Sequence, residues 1–124
     1  MAIYDGILLA SGGMDSTVLA YDLAQKGEKV ILLFLDYGQH CAEKELETLR
    51  KVSPEDYKDN LRIIKIGDVY RESNSRMIVE ANLWVDNVVA DDLYLPYRNL
   101  LFLSIASAYA QSLSVKNVYS AFIN

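Results

Sequence analysis

The chain has 124 residues, 52% of them hydrophobic and 23% charged, enough for one globular domain and too apolar for a disordered tail. Twelve basic residues against seventeen acidic ones leave a formal net charge of −5, which excludes the broad positive field demanded by a nucleic-acid backbone or an anionic membrane. The lone cysteine, Cys41, leaves no internal disulfide and no multi-cysteine zinc site in these residues, in keeping with a reducing compartment.

No basic region precedes the first apolar run, so the N-terminus does not read as a signal peptide, and no apolar stretch reaches the length of a membrane span. A soluble, cytoplasmic protein is expected.

Residues 6–10 form a continuous apolar run, as a strand covered on both faces requires, and it breaks at Ser11-Gly12-Gly13. Residues 15–26 place Val18, Leu19, Tyr21, Leu23 and Ala24 at helical spacing, and Gly27 follows where a C-cap glycine belongs. A second apolar run, 30–35, reads as another buried parallel strand. Residues 43–52 carry Leu46, Leu49 and Val52 on one face of an amphipathic helix. Ser53-Pro54 predicts a short extra turn, with Ser53 as cap and Pro54 at its first position. The less uniformly apolar residues 61–66 predict an edge strand.

Residues 67–95 lack a clean period and read as an irregular insertion or lid, with Trp84 and its apolar neighbours as its core or a subunit contact. Residues 100–113, apolar nearly all round and rich in Ala and Ser, predict a buried helix close against a sheet. Residues 118–123 predict a fourth strand.

The order β-α-β-α-β-(insertion)-α-β predicts an α/β fold: a single domain over 1–124 with a Rossmann-like open parallel sheet and helices on both faces. Ligands in such sheets bind beyond the carboxyl ends of the strands, at the topological switch point. Residues 11–16, 36–40 and those after the fourth strand are nominated in advance.

The first of these places carries the chemistry. In Ser11-Gly12-Gly13-Met14-Asp15-Ser16-Thr17, two glycines allow positive φ and leave no side chain in a ligand's way. Amides of the loop and first helical turn, with the helix dipole, suit an anion the size of pyrophosphate. Ser11 and Ser16 can donate hydroxyl hydrogen bonds to phosphate. Asp15 repels phosphate, so it reads either as a capping acceptor or as a magnesium ligand. No Lys follows the glycines as in a Walker A loop, and the pattern is not the GxGxxG turn. A plain strand-to-helix turn capped by Ser11 or Asp15 is the competing reading.

Arg98 stands at a helix start, where the dipole disfavours a cation. Either an anion lies nearby, such as a ligand's phosphates or a substrate carboxylate, or Arg98 pairs with Asp91 or Asp92. Asn99 reads as a cap or a ligand contact. Asp36 ends the second strand about twenty residues past the glycine loop, where an acidic residue can reach a ribose, or else it caps the next helix. Tyr37 could stack on adenine or substrate, although nine tyrosines weaken any single one as a signal. Gln39 lies in the same loop. His40 fits a surface role better than catalysis or metal binding, and Cys41 a buried or half-buried free thiol.

Ser11-Gly12-Gly13-Met14-Asp15-Ser16 closely resembles the SGGxDS signature of the PP-loop ATP pyrophosphatase superfamily. Asp36-Tyr37-Gly38-Gln39 resembles the DYGQ segment of the 7-cyano-7-deazaguanine synthase family of queuosine biosynthesis. Residues 95–104, Leu-Pro-Tyr-Arg-Asn-Leu-Leu-Phe-Leu-Ser, resemble that family's VPGRNLIFLS segment.

The resemblance implies an adenine nucleotide alpha hydrolase-like fold and an ATP-dependent C–N ligase with magnesium as counterion. Its substrates would be 7-carboxy-7-deazaguanine and ammonia. ATP would adenylate the carboxylate, ammonia would displace AMP to give the amide, and a second adenylation would permit dehydration to the nitrile. Asp15 and Arg98 would serve catalysis. Ser11, Gly12, Gly13, Asp15, Ser16, Asp36, Tyr37, Gln39, Arg98 and Asn99 would hold the nucleotide.

The family's C-terminal zinc-binding cysteine cluster has no counterpart here, so no metal ligands are assigned. Tyr97 stands where the family usually has glycine, and His40 replaces a common basic residue. The stop after the fourth strand is read as a fragment, a split subunit with a complementing partner, or a degraded relative; a homodimer is the other expected assembly. Two alternatives compete with the synthase. One is another PP-loop adenylating enzyme, tRNA-modifying or amide-forming, of which a tRNA enzyme is disfavoured by the charge. The other is an ATP-binding module without the reaction.

Overall fold

Gly6–Leu9 (β1) and Val30–Asp36 (β2) are the two most apolar stretches of the chain, and they pair in parallel at the centre of the sheet, Ile7 opposite Ile31 and Leu9 opposite Leu33. The structure is a computed structural model that describes residues 3–72 and 97–121. Leu61–Lys65 (β3) lies outside β2 and Asn117–Tyr119 (β4) outside β1, both parallel to their neighbours, giving the order β3-β2-β1-β4. Side chains of β1 and β2 are buried on both faces, as continuous rather than alternating apolar runs require. The edge reading of residues 61–66 agrees with the half-exposed β3.

Helices cover both faces. Met14–Gln25 (α1) and Ala42–Val52 (α2) pack Ala20, Leu23 and Leu49 against Leu8, Val30, Leu32 and Phe34. On the opposite face, Arg98–Ser112 (α3) sets Ala106 and Ala110 against Ile7, Leu9, Ile31 and Leu33. The fold is the Rossmann-like α/β arrangement that the order of elements predicts.

Gly27 terminates α1 as expected. Its φ is +77°, its amide bonds the Ala24 carbonyl at 3.0 Å, and the Glu28 amide bonds that of Leu23 at 3.1 Å, completing a Schellman motif. In α2, Glu43 and Glu45 lie in the first turn and Arg50 and Lys51 in the last, complementing the helix dipole at both ends.

Three details differ from the sequence expectation. The extra turn after α2 is a 3-10 helix, Glu55–Asn60, with Pro54 rather than Ser53 preceding it. The Ser53 hydroxyl instead bonds back to the Leu49 carbonyl, closing α2. Helix α3 begins at Arg98 and is buried only along its small residues, while Leu100 is 61% exposed. A helix resting on a sheet touches it along one stripe, so apolar residues all round do not mean burial all round. The fourth strand is Asn117–Tyr119, shorter than expected. Of the insertion, Gly67–Tyr70 forms a 3-10 turn with Tyr70 buried, and Trp84, Asp91 and Asp92 lie outside the described residues.

Candidate functional site

The chain runs outward from β1 through β2 to β3, then returns to place β4 on the other side of β1. The strand order therefore reverses between β1 and β4, and the loop after β1 opens there. Leu9, Ser11, Gly13, Met14, Asp15, Ser16 and Ala121 line a hollow of about 150 Å³ at this point. A larger hollow of about 410 Å³ lies on the loop's other side, against α2.

Of the two glycines only Gly12 is left-handed, at φ +82°. A Cβ there would lie 3.0 Å from the Glu45 carbonyl and 3.2 Å from the Leu49 amide, so the residue lets the loop lie directly on the backbone of α2. Gly13 is extended, at φ −74° and ψ 168°, and is the N-cap of α1. Its amide donates to Ser11 Oγ at 3.3 Å, and its carbonyl accepts from the Thr17 hydroxyl at 2.7 Å and the Thr17 amide at 3.1 Å. Buried Ser16 accepts from the Ser11 amide at 3.4 Å. Both serines thus brace the turn.

No side-chain cap bonds the start of α1, and Asp15 does not serve as one. Among the described residues, the amides of Met14, Asp15 and Ser16 have no acceptor, and the Asp15 carboxylate has no hydrogen-bond or ion-pair partner. Unpaired donors at a helix N-terminus beside a hollow suit a tetrahedral oxyanion. A free carboxylate next to them is the hard oxygen donor that magnesium takes when phosphates complete its shell, so the residues present fit that ion.

The loop after β2 is organised by its own side chains. Asp36 Oδ1 accepts from the Gly38 amide at 3.0 Å, forming a turn within the loop rather than a cap on α2, and Gly38 is left-handed at φ +81°. Gln39 is 4% exposed. Its Oε1 accepts from the Tyr37 amide at 2.8 Å, while its Nε2 donates to the Leu35 carbonyl at 3.4 Å and to Glu45 at 3.3 Å. With both ends of its amide bonded within the protein, Gln39 shapes the loop.

Tyr37 is 6% exposed, so its ring is packed by the protein and is not open to stack on a base. Phe102 lies tilted against it at 5.3 Å and Tyr70 edge-on at 6.3 Å. Burial pushes the Tyr37 phenol up to about 12, the Glu45 carboxylate adds to this, and the Arg98 guanidinium beside the hydroxyl pulls the other way. Tyr37 therefore joins Arg98 of α3 to the loop after β2. His40 is exposed, and Cys41 is the half-buried free thiol expected.

Arg98 opens α3, as the sequence predicts, and is half-buried. Tyr97 precedes it at φ +55°, a left-handed conformation that favours glycine and that bulky residues rarely adopt. Asn99 is the second helical residue, not a cap. No hydrogen bond among the described residues ties Arg98 or Asn99 to the glycine loop. The structure brings together Ser11, Gly12, Gly13, Asp15 and Ser16, and separately Asp36, Tyr37, Gln39 and Arg98. Cys41, Lys44, Glu45 and Thr48, which line the larger hollow, were assigned to no site from sequence; the helical spacing of Lys44, Glu45 and Thr48 on α2 was the available signal.

A family model described as queuosine biosynthesis protein QueC matches residues 5–124. A 7-cyano-7-deazaguanine synthase of Picrophilus torridus is 40% identical over 119 residues, covering 91% of this chain and 48% of its own length. One from Thermoplasma volcanium is 36% identical over 121 residues, with 91% and 48% covered. A third, from Desulfitobacterium hafniense, is 31% identical over 115 residues, with 90% and 52% covered. The chain spans about half the length of the curated relatives it matches.

Proposed function

Because the chain belongs to the QueC family of queuosine biosynthesis proteins, within the PP-loop superfamily, we propose that it binds ATP and magnesium and adenylates the carboxylate of 7-carboxy-7-deazaguanine. The observation that carries this reading is the open start of α1, where the amides of Met14, Asp15 and Ser16 have no acceptor among the described residues beside the switch-point hollow.

In this reading those amides hold the phosphates that become pyrophosphate, stabilising the charge that grows as the bond to the α-phosphorus breaks. Asp15 holds magnesium, which supplies charge neutralisation. Arg98 attracts the substrate carboxylate toward the α-phosphate, and its approach lowers the entropy barrier to attack. Ser11 and Ser16 keep the turn open and rigid, and Asp36 contacts the ribose. Ammonia then displaces AMP to give the amide, and a second adenylation leads to the nitrile.

Calorimetry with ATP and magnesium tests the loop. Wild type should bind, Asp15→Ala should weaken binding about tenfold through the loss of one charge-assisted contact, and Ser16→Ala should weaken it less, by loosening the turn that Ser16 braces. No heat from wild type would remove the nucleotide reading. Pyrophosphate should be released when 7-carboxy-7-deazaguanine is added; ATP binding with no release would restrict the chain to holding the nucleotide.

A further inference from the structure

Arg98 opens α3 at the end where the helix dipole disfavours a cation, and no carboxylate pairs with it among the described residues. Its neighbour is a neutral group: the Tyr37 hydroxyl, on the loop after β2, is hydrogen-bonded to the Arg98 guanidinium. Arginine carries only donors, so the phenol oxygen accepts. We propose that Tyr37 is a positioning residue, whose buried hydroxyl aims the Arg98 guanidinium at the carboxylate of the substrate. This rests on the reading above in which Arg98 attracts that carboxylate, and it gives Tyr37 a role other than nucleotide contact.

The Tyr37 side chain is held from several directions. Phe102 lies one helical turn beyond Arg98 and so shares its face of α3, and its ring meets that of Tyr37 at 5.3 Å. Tyr70 approaches edge-on at 6.3 Å, and Ile66 and Leu101 pack against the same cluster. The Tyr37 amide donates to Oε1 of buried Gln39 at 2.8 Å, and Gln39 Nε2 donates in turn to the Leu35 carbonyl. A group can orient another only when its own rotamer is locked, and here packing locks it.

The chemistry of the hydroxyl matters as much as its place. A carboxylate beside Arg98 would orient the guanidinium but cancel its charge. The Tyr37 phenol, pushed up to about 12 chiefly by burial, stays neutral at physiological pH. It accepts a hydrogen bond and leaves the positive charge in force, with guanidinium donors to spare for an anion. Glu45, whose charge also reaches the phenol, is bonded to Gln39 and Cys41 and forms no ion pair with Arg98. A ring kept for packing alone would need no hydroxyl.

Calorimetry on the full chain with 7-carboxy-7-deazaguanine, with uncharged 7-cyano-7-deazaguanine, and with ATP and magnesium tests the assignment. Tyr37→Phe keeps the ring and removes the hydroxyl, and circular dichroism checks its fold. It should weaken the acid about fivefold and leave the nitrile and ATP within about twofold of wild type. Arg98→Ala should weaken the acid at least as much, and adding Tyr37→Phe to it should cost nothing further. Equal affinity of wild type and Tyr37→Phe for the acid would overturn the assignment while leaving the role of Arg98 intact. Equal losses for acid and nitrile, or additive losses in the double variant, would do the same. No acid binding by wild type, or unchanged acid affinity in Arg98→Ala, would bring down both.

Discussion

Gly12 and Gly13 are adjacent and chemically identical, but the fold uses them differently. Gly12 needs both its positive φ and its missing side chain, since a Cβ would press on two backbone atoms of α2 that have no room to move. Gly12→Ala should cost about 2 kcal/mol of stability, read as a shift in the urea unfolding midpoint. Gly13 has an ordinary extended backbone, and an added Cβ would meet only the Ser11 hydroxyl, at 3.3 Å. Gly13→Ala should therefore change stability by less than about 1 kcal/mol, and its effect should fall on ATP affinity. Equal midpoints for the two variants would contradict this division. A repeated letter in a motif is visible in sequence; which copy bears the strain depends on α2, a partner some thirty residues away.

At the scale of elements, helix ends were the most legible features. Gly27 after Lys26 marks the end of α1 because only a residue tolerant of φ near +77° can complete the motif that reverses the chain into β2. Nothing lies within 4 Å of the position a Cβ would take there, so Gly27→Ala isolates the backbone cost. A loss of about 1 kcal/mol in chemical denaturation is expected, with ATP affinity unchanged. Helix α3 was less legible. Its composition speaks of apolarity on every side, but only Ala106 and Ala110 face the sheet fully, because small residues let the helix approach closely. Tyr37 shows the same limit. An aromatic in a ligand-facing loop invites a stacking role, and only the positions of Phe102 and Tyr70 reveal that the protein itself occupies the ring.

Over the whole molecule, stability is concentrated in the central pair of strands. β1 and β2 are buried on both faces, whereas β3 is half-exposed and β4 is only three residues long. Native-state hydrogen exchange should find the slowest amides in residues 7–9 and 31–35, and faster exchange in β3 and β4. Slowest exchange in β4 would refute this ranking. The arrangement places the glycine loop on the most rigid strand, so its amides are held by the part of the molecule that opens least.

From sequence alone came the order of strands and helices, the glycine loop as the seat of chemistry, and the family. Each rests on local facts: apolar runs, helix-ending glycines, and short motifs whose residues act on their near neighbours. Tertiary structure decided that β4 returns beside β1, that Gln39 and Tyr37 face inward, and that α2 brings Lys44 to the loop. Those outcomes depend on contacts between residues far apart in the chain, where burial and hydrogen-bond satisfaction, rather than local pattern, choose the arrangement.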